Sequence, residues 1–179
     1  MKRVVKKKCV ALVASVMMLS IAYLSVSVVR ASNPPVAIRT KICETASSKI
    51  GCTYKKGASG PKVFDCGGLV RYCANIGGVT LEADTAAENF REFRNMYRAV
   101  LKTSINYNRK PGDFIYYKEF DEKGKVIDNG RYMYIYHAAV YIGGDTIIDA
   151  TSTAGKVVKR SRSTTFKPRS EVGYAYCIG

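Results

Sequence analysis

A cysteine and a histidine that lie far apart in the chain are the residues best suited to covalent chemistry. Cys66 lies in the run FDCGGLV, residues 64–70, and His137 is the only histidine among the 179 residues. A thiol that meets an imidazole base is the usual arrangement of a cysteine nucleophile. The pair therefore predicts acyl transfer, in which Cys66 attacks a carbonyl carbon and His137 moves the proton.

The residues around Cys66 predict how its thiol is presented. Asp65 is a good N-cap, so Cys66 begins a helix, where the helix dipole favours a thiolate. Gly67 and Gly68 follow, and their lack of side chains allows another backbone or a substrate to approach closely. A half-cystine or a small buried residue is the alternative interpretation of Cys66.

A predicted hairpin brings a carboxylate towards His137. If Gly143–Asp145 is a three-residue turn, Ile142 pairs with Thr146. Asp149 then shares a sheet face with His137 and lies diagonal to it, where it can orient the imidazole. A two-residue turn would place Asp149 on the other face. The alternatives are a histidine with a structural role and a carboxylate that merely ends a strand.

The elements that position these residues change character along the chain. Hydrophobic periodicity and turn residues predict helices over 36–50, 66–76 and 85–96. Strands are predicted over 114–117, 132–142, 146–150, 155–159 and 172–178. Helices followed by strands indicate an α+β domain, with the N-terminal helices packed on an antiparallel β-sheet.

The N-terminal segment has the pattern of a secretory signal peptide. A basic start precedes an apolar run from Cys9 to Val29, and Ala31 provides a small residue for cleavage. We therefore predict a signal peptide over residues 1–31 and a single catalytic domain over residues 32–179. The apolar run is long enough that an uncleaved anchor is the alternative, and membrane association is predicted only if the segment is retained.

The predicted mature chain is strongly basic. Residues 1–31 contain six of the 29 basic residues and none of the 14 acidic ones, which leaves a formal charge of +9. A basic exported protein suits anionic polymers of a cell envelope. Charge alone would also suit nucleic acid, although no nucleic-acid partner is predicted. A solvated basic surface is the other interpretation.

The cysteine count limits the covalent framework. The predicted mature chain contains Cys43, Cys52, Cys66, Cys73 and Cys177, so at least one thiol has no partner within the chain. If Cys66 is that thiol, the other four could form two disulfides with three connectivities. The spacings do not match a zinc site, and neither a metal nor an organic cofactor is predicted.

Several separated motifs together resemble the NlpC-type cysteine peptidase family. They are residues 51–54, 64–70, 111–113 and 137–143, in the order and spacing typical of the family. The resemblance covers roughly residues 36–178. It implies a papain-like α+β fold and cleavage of peptidoglycan stem peptides, often between D-γ-glutamate and the following diamino acid.

The resemblance also implies a role for each matching residue. Cys66 matches the nucleophile, His137 the general base and Asp149 the third polar residue, which is histidine in many members. Tyr54 matches a tyrosine that supports the oxyanion or the substrate. Asp65 matches an aspartate that helps hold a substrate amino group, although it is equally well explained as a helix cap.

Gly67 marks a departure from the family, which usually has serine after the cysteine. Its place at the helix start makes it a candidate for the oxyanion or substrate site. The predicted function is that of a secreted or envelope-associated peptidoglycan endopeptidase. A related thiol amidase of the cell wall and a catalytically silent envelope-binding protein of the same fold remain the alternatives.

Overall fold

The computed structural model describes residues 34–103 and 107–178. The predicted signal peptide over residues 1–31 lies outside them. In these ranges the helices are α1 Pro34–Ser48, α2 Cys66–Ile76, α3 Ala86–Asn95 and α4 Arg162–Thr165. The strands are β1 Thr53–Tyr54, β2 Val63–Phe64, β3 Ala99–Leu101, β4 Phe114–Lys118, β5 Ile135–Gly143, β6 Thr146–Thr151, β7 Lys156–Ser161 and β8 Glu171–Ala175.

The prediction of an α+β domain is confirmed, because three helices precede the main strands. Strands β1, β2 and β3 were not predicted, since two or three residues are too few to show an alternating pattern. The predicted strand over 132–142 begins later, at Ile135. A 3-10 turn occupies Tyr132–Tyr134, and the positive φ angles of Met133 and Tyr134 end any extended run there.

A single sheet of eight strands is formed within the described ranges, in the order β2-β1-β7-β6-β5-β4-β8-β3. Strands β1 and β2 pair in parallel, and the other neighbours pair antiparallel. The long strands β4 to β8 form a contiguous part of this sheet. Consecutive pairing of β4 through β7 fixes the relative positions of the residues on β5 and β6.

The main core lies between the helices and one face of the sheet. It joins Leu69 of α2 and Phe90 of α3 to Phe114, Tyr116 and Val140 of the sheet. Alternate residues of the same strands belong to a second cluster, which is formed by Ile115, Tyr117, Ala139, Tyr141, Ile147, Phe166 and Tyr174. Because alternate side chains of a strand point to opposite faces, the two clusters cover both faces of the sheet.

A buried carboxylate attaches α1 to the sheet. Asp113, which is fully buried, pairs with Arg39 of α1 and accepts hydrogen bonds from the Tyr107 hydroxyl at 2.7 Å and the Lys110 amide at 2.6 Å. These contacts explain the motif at residues 111–113. No helix in the described part of the chain combines the length and hydrophobicity needed to cross a membrane.

Candidate active site

The first turn of α2 presents Cys66. Asp65 has an extended backbone, and its Oδ1 accepts a hydrogen bond from the Gly68 amide at 2.7 Å, as an N-cap does. Its Oδ2 accepts one from the Gly57 amide, also at 2.7 Å. Both oxygens therefore serve the protein backbone. Asp65 is therefore a helix cap, and its bond to Gly57 also holds the loop before β2 in place.

Two glycines follow Cys66 because backbone packs against this turn on two sides. A Cβ atom on Gly68 would lie 2.0 Å from the Ala58 carbonyl oxygen. A Cβ atom on Gly67 would lie 2.7 Å from the Ala86 amide nitrogen. Asn89 Nδ2 also donates a 2.9 Å hydrogen bond to the Gly67 carbonyl oxygen. Gly67 thus faces α3 and is not among the residues lining the cleft described next.

Cys66 opens into a cleft of about 350 Å³ that brings most of the predicted site together. His137 of β5 and Tyr54 of β1 line the same cleft. The other lining residues are Glu119, Tyr136, Ala150, Thr151, Ser152, Thr153, Arg160, Thr165 and Phe166. Cys66 comes from the helical layer and His137 from the sheet, so the two meet only in the folded protein.

Asp149 contacts His137 directly. The distance between His137 Nε2 and Asp149 Oδ2 is 2.6 Å, and the Asp149 side chain is fully buried. The contact fixes the roles of the two imidazole nitrogens. Because Nε2–H donates to the carboxylate, Nδ1 is the nitrogen left to exchange a proton with Cys66.

The hairpin that makes this contact differs from the predicted one. Gly143, not Ile142, pairs with Thr146, so the turn has two residues and the three-residue prediction was wrong. A register shift between Tyr141 and Gly143 marks a β-bulge at Ile142. The extra residue compensates for the shorter turn. The residues of β5 before the bulge therefore have the same partners in β6 that a three-residue turn would give them. Asp149 and His137 therefore still lie on one face.

A second bulge places Tyr136 in the cleft. Tyr117 pairs with His137, but the next residue, Lys118, pairs with Ile135, so Tyr136 is the extra residue. Ile135 consequently belongs to the main core, although simple alternation along β5 would place it on the same face as His137. Bulges commonly redirect a side chain next to a site, and here Tyr136 lines the cleft beside His137.

Arg160 is a site residue that the sequence did not reveal. Its Nε donates to Asp149 Oδ1 at 2.9 Å, and its Nη2 donates to Oδ2. Asp149 pairs with Val158 across β6 and β7, so Arg160, two residues further, lies on the same face. A basic residue diagonal to Asp149 in the neighbouring strand was the available signal. To use it, one must know the register between β6 and β7, and the sequence defined the bounds of β7 poorly.

The electrostatics of the triad favour an imidazolium. Burial opposes protonation of His137, but the hydrogen bond to Asp149 and the interactions with Cys66 outweigh it and raise the pKa of His137 to about 9. Burial also opposes ionisation of Asp149, yet His137 and Arg160 together lower the pKa of its carboxyl. A carboxylate held between two cations is thus the stable state of Asp149.

Tyr54 has the properties of a hydrogen-bond donor to the cleft. Burial, and then the negative charges of Cys66 and Asp65, raise the pKa of Tyr54 above its usual value. Its hydroxyl stays protonated at neutral pH. A protonated phenol beside Cys66 can donate a hydrogen bond to an oxygen atom that develops negative charge.

The remaining thiols have different surroundings. Burial raises the pKa of both Cys73 and Cys177 to about 12, and burial also raises the pKa of Cys43. All five cysteines of the described residues are unbridged, so neither of the two disulfides that the cysteine count allowed is present among them. Within these residues no group of three or more histidine, cysteine, aspartate or glutamate side chains is arranged to hold a metal ion.

The sequence matches the model of the NlpC/P60 family over residues 51–172, which include Cys66, His137 and Asp149. Among curated proteins it is similar to a probable endopeptidase p60 from Listeria grayi. The two are 30% identical over 105 residues, covering 59% of this chain and 16% of that protein. The chain thus spans only a small part of this relative.

Solved structures show the same fold at low identity. NlpC1 from Trichomonas vaginalis superimposes with a TM-score of 0.56 at 20% identity, covering 77% of this chain and 43% of that one. The peptidoglycan hydrolase RipB from Mycobacterium tuberculosis has a TM-score of 0.56 at 21% identity, covering 86% of this chain and 70% of that one. These likenesses confirm the predicted papain-like α+β fold.

Proposed function

The chain belongs to the NlpC/P60 family, and from this premise we propose that it is a cysteine endopeptidase that hydrolyses peptidoglycan stem peptides. The observation that carries the proposal is the cleft in which Cys66 meets His137, whose Nε2 lies 2.6 Å from Asp149 Oδ2. The proposed bond is the amide between D-γ-glutamate and the following diamino acid.

The first half of the proposed reaction forms a thioester. The Cys66 thiolate attacks the amide carbonyl carbon, and a carbon–sulfur bond forms as the carbonyl electrons move onto oxygen. Backbone amides at the start of α2 and the Tyr54 hydroxyl stabilise this oxyanion. When the oxyanion collapses, the carbon–nitrogen bond breaks and the His137 imidazolium gives its proton to the leaving amine.

The second half releases the acid. Neutral His137 takes a proton from water, and the resulting hydroxide attacks the thioester carbon. The carbon–sulfur bond breaks, which frees the carboxylic acid and restores the thiolate beside an imidazolium, and the acid then loses its proton to solvent. Asp149 stabilises the imidazolium in both halves, and Arg160 keeps the Asp149 carboxylate ionised and in place.

The proposal extends to the cellular setting. Residues 32–179 form the catalytic domain, and residues 1–31 direct export, so the protein acts outside the membrane or within the envelope. The basic composition of the chain supports association with anionic wall polymers.

Product analysis tests the proposal. The full-length protein is incubated with purified stem peptides and with intact peptidoglycan, and the products are identified by mass spectrometry. New amino termini on the diamino acid support the endopeptidase. Release of whole stem peptides from the glycan would instead identify a thiol amidase. Binding to peptidoglycan without any cleavage would identify a catalytically silent protein of this fold.

A further inference from the structure

Phe166 is an aromatic residue of the catalytic cleft, and its ring packs against the imidazole. Although Phe166 lines the cleft, only 8% of its surface is exposed. The centroids of the Phe166 and His137 rings lie 5.3 Å apart, and the ring planes are inclined by 32°. Tyr117, which pairs with His137 across β4 and β5, stacks on Phe166 at 3.9 Å with an inclination of 17°. The two aromatic side chains thus form a packed apolar surface beside His137.

The same ring also contacts the guanidinium that binds Asp149. The Arg160 guanidinium lies 5.3 Å from the centroid of the Phe166 ring, within the range of a cation–π contact. Arg160 Nε donates to Asp149 Oδ1 at 2.9 Å, and Asp149 Oδ2 lies 2.6 Å from His137 Nε2. One aromatic ring therefore contacts both of the groups that hold the Asp149 carboxylate.

Helix α4 fixes the position of Phe166. Phe166 directly follows this helix, and its amide donates a 2.8 Å hydrogen bond to the Arg162 carbonyl oxygen. The Arg162 side chain forms ion pairs with the buried Glu171 of β8 and with Asp145 in the turn between β5 and β6. These ion pairs attach α4 to two parts of the sheet. The Phe166 ring is consequently held through its backbone as well as by its neighbouring side chains.

These contacts restrict an imidazole that one hydrogen bond does not fix. The torsion that rotates a histidine ring has broad minima, so the bond between His137 Nε2 and Asp149 leaves the ring able to pivot. Such a pivot would turn Nδ1 away from Cys66, its partner in the proposed reaction. The Phe166 ring opposes this rotation by close packing. The ring also excludes water from the bond to Asp149, and a hydrogen bond is stronger where the local dielectric constant is low.

We propose that Phe166 is a positioning residue, which keeps Nδ1 of the His137 imidazole directed at the Cys66 thiol. Its ring does so by holding the imidazole and the Arg160 guanidinium on the Asp149 carboxylate. The inference rests on the proposed function, in which Nδ1 exchanges a proton with the thiol. Two simpler roles make different predictions. A mere wall of the cleft would affect KM, and a mere packing residue would affect only stability.

The test uses two changes of Phe166 in the full-length chain and one matched control. Phe166→Leu removes the ring, whereas Phe166→Tyr retains it. The control is Phe93→Leu, which removes a ring of the same kind from the main core, where Phe93 is fully buried and packs against Phe114. Urea denaturation measures the loss of stability in each variant, so that effects on the site are compared at a known cost to the fold.

Two measurements report on the imidazole. The first is kcat and KM for a soluble stem peptide. The second is nuclear magnetic resonance of protein made with nitrogen-labelled histidine, which reports on His137 alone because the chain contains no other histidine. The exchange of the Nε2–H proton with water shows how well the bond to Asp149 is held and covered.

The expected pattern separates positioning from packing. Phe166→Leu lowers kcat by about tenfold and leaves KM unchanged, because the ring acts through His137 and not on the bound substrate. The Nε2–H proton exchanges with water faster in this variant than in wild type. Phe166→Tyr restores both properties, and Phe93→Leu changes neither. A rise in KM alone, or an imidazole spectrum identical to that of wild type, would overturn the proposal.

The resonance measurement needs no substrate, so it separates this inference from the proposed function. Faster Nε2–H exchange in Phe166→Leu, without cleavage of stem peptides by wild type, would retain the positioning of His137 and reject the proposed function. Cleavage by wild type with the same kcat and the same exchange rate in Phe166→Leu would retain the function and reject the positioning role. Absence of both cleavage and any change in exchange would reject both.

Discussion

At the scale of single residues, the site depends on one imidazole whose two nitrogens have separate partners. Asp149 accepts from Nε2 at 2.6 Å, which leaves Nδ1 for the thiol. Arg160 holds both oxygens of the same carboxylate. In the proposed mechanism, the charges along this series therefore alternate: thiolate, imidazolium, carboxylate and guanidinium. Removal of any one charge from the series should therefore shift the pKa of the neighbouring group in a predictable direction.

Removal of the nucleophile or the base should abolish hydrolysis. We expect Cys66→Ala and His137→Ala each to lower kcat/KM for a stem peptide by at least about a thousandfold, since each step of the reaction requires both groups. Far-ultraviolet circular dichroism should show that both variants remain folded. A folded Cys66→Ala protein with wild-type turnover would eliminate the proposed mechanism.

Changes of Asp149 and Arg160 should move the pH profile in opposite directions. Because the pKa of His137 is raised to about 9, the imidazolium is present below that pH, and activity should fall as the pH rises through about 9. Asp149→Asn removes the charge that raises this pKa, so the alkaline limb moves to lower pH. Arg160→Met removes a competing cation, so the limb moves to higher pH.

The pH experiment measures kcat/KM between neutral and strongly alkaline pH for four proteins: wild type, Asp149→Asn, Arg160→Met and Arg160→Lys. Arg160→Met should also lower kcat by about tenfold, which corresponds to ~1.4 kcal/mol, because Asp149 loses its anchor. Arg160→Lys retains the positive charge and should keep the wild-type limb. Identical alkaline limbs in wild type and Arg160→Met would show that Arg160 has only a structural role.

Alkylation should distinguish Cys66 from the buried thiols. Cys73 and Cys177 are buried and have pKa values raised to about 12, so they are protonated and inaccessible at neutral pH. Cys66 opens into the cleft beside the His137 imidazole. Iodoacetamide below neutral pH should therefore label Cys66 before either buried cysteine in peptide mapping. Alkylation of Cys73 or Cys177 before Cys66 would contradict the buried placement of these two thiols.

At the scale of elements, close backbone packing holds the start of α2. The Gly68 Cα faces the Ala58 carbonyl, and Asp65 caps the helix while it also binds the Gly57 amide. Asn89 of α3 holds the opposite side through the Gly67 carbonyl. Contacts on two sides thus fix the start of α2, and they hold the Cys66 thiol in the cleft that also contains His137 of β5.

Gly68→Ala tests this packing. In an open helix the change should stabilise the fold, because alanine has the higher helix propensity. Here a Cβ atom would lie 2.0 Å from a backbone oxygen, so we expect the free energy of unfolding to fall by about 1–3 kcal/mol, as in overpacked cores. Urea denaturation of the variant and of wild type measures this difference in the free energy of unfolding. A variant as stable as wild type would mean that the loop before β2 moves away freely.

At the scale of the whole molecule, charge is the dominant property. The chain carries 29 basic and 14 acidic residues, and several of the basic ones are already neutralised by buried or half-buried carboxylates. Glu171, for example, pairs with both Arg109 and Arg162. Most of the other basic residues in the described part of the chain are exposed, and their long-range attraction to polyanions is sensitive to salt.

We expect weak, salt-sensitive binding to anionic cell-wall material. The Debye length falls from ~10 Å at 0.1 M to ~3 Å at 1 M salt, so co-sedimentation with walls should fall steeply across that range. Cleavage of a small soluble peptide should change much less. Equal binding at low salt to walls with and without their anionic polymers would show that the basic surface is only solvated.

The sequence by itself determined the parts of the protein that depend on local chemistry. Asp65 before Cys66 predicted a capped helix start, and residues 66–76 form that helix. The order of helices and strands predicted the α+β class, and the separated motifs predicted the family. The helix and the fold class follow from capping and periodicity within short stretches of chain, whereas the family came from the resemblance of the separated motifs.

Only the tertiary structure decided which side chains meet. The turn at Gly144 and Asp145 is shorter than predicted, and a bulge at Ile142 compensates for it, so two local deviations cancel in the contact between His137 and Asp149. The bulge at Tyr136 and the diagonal approach of Arg160 likewise depend on strand register. Register is set by pairing between distant segments, and a one-residue shift reverses every side chain, so it cannot be read from either strand alone.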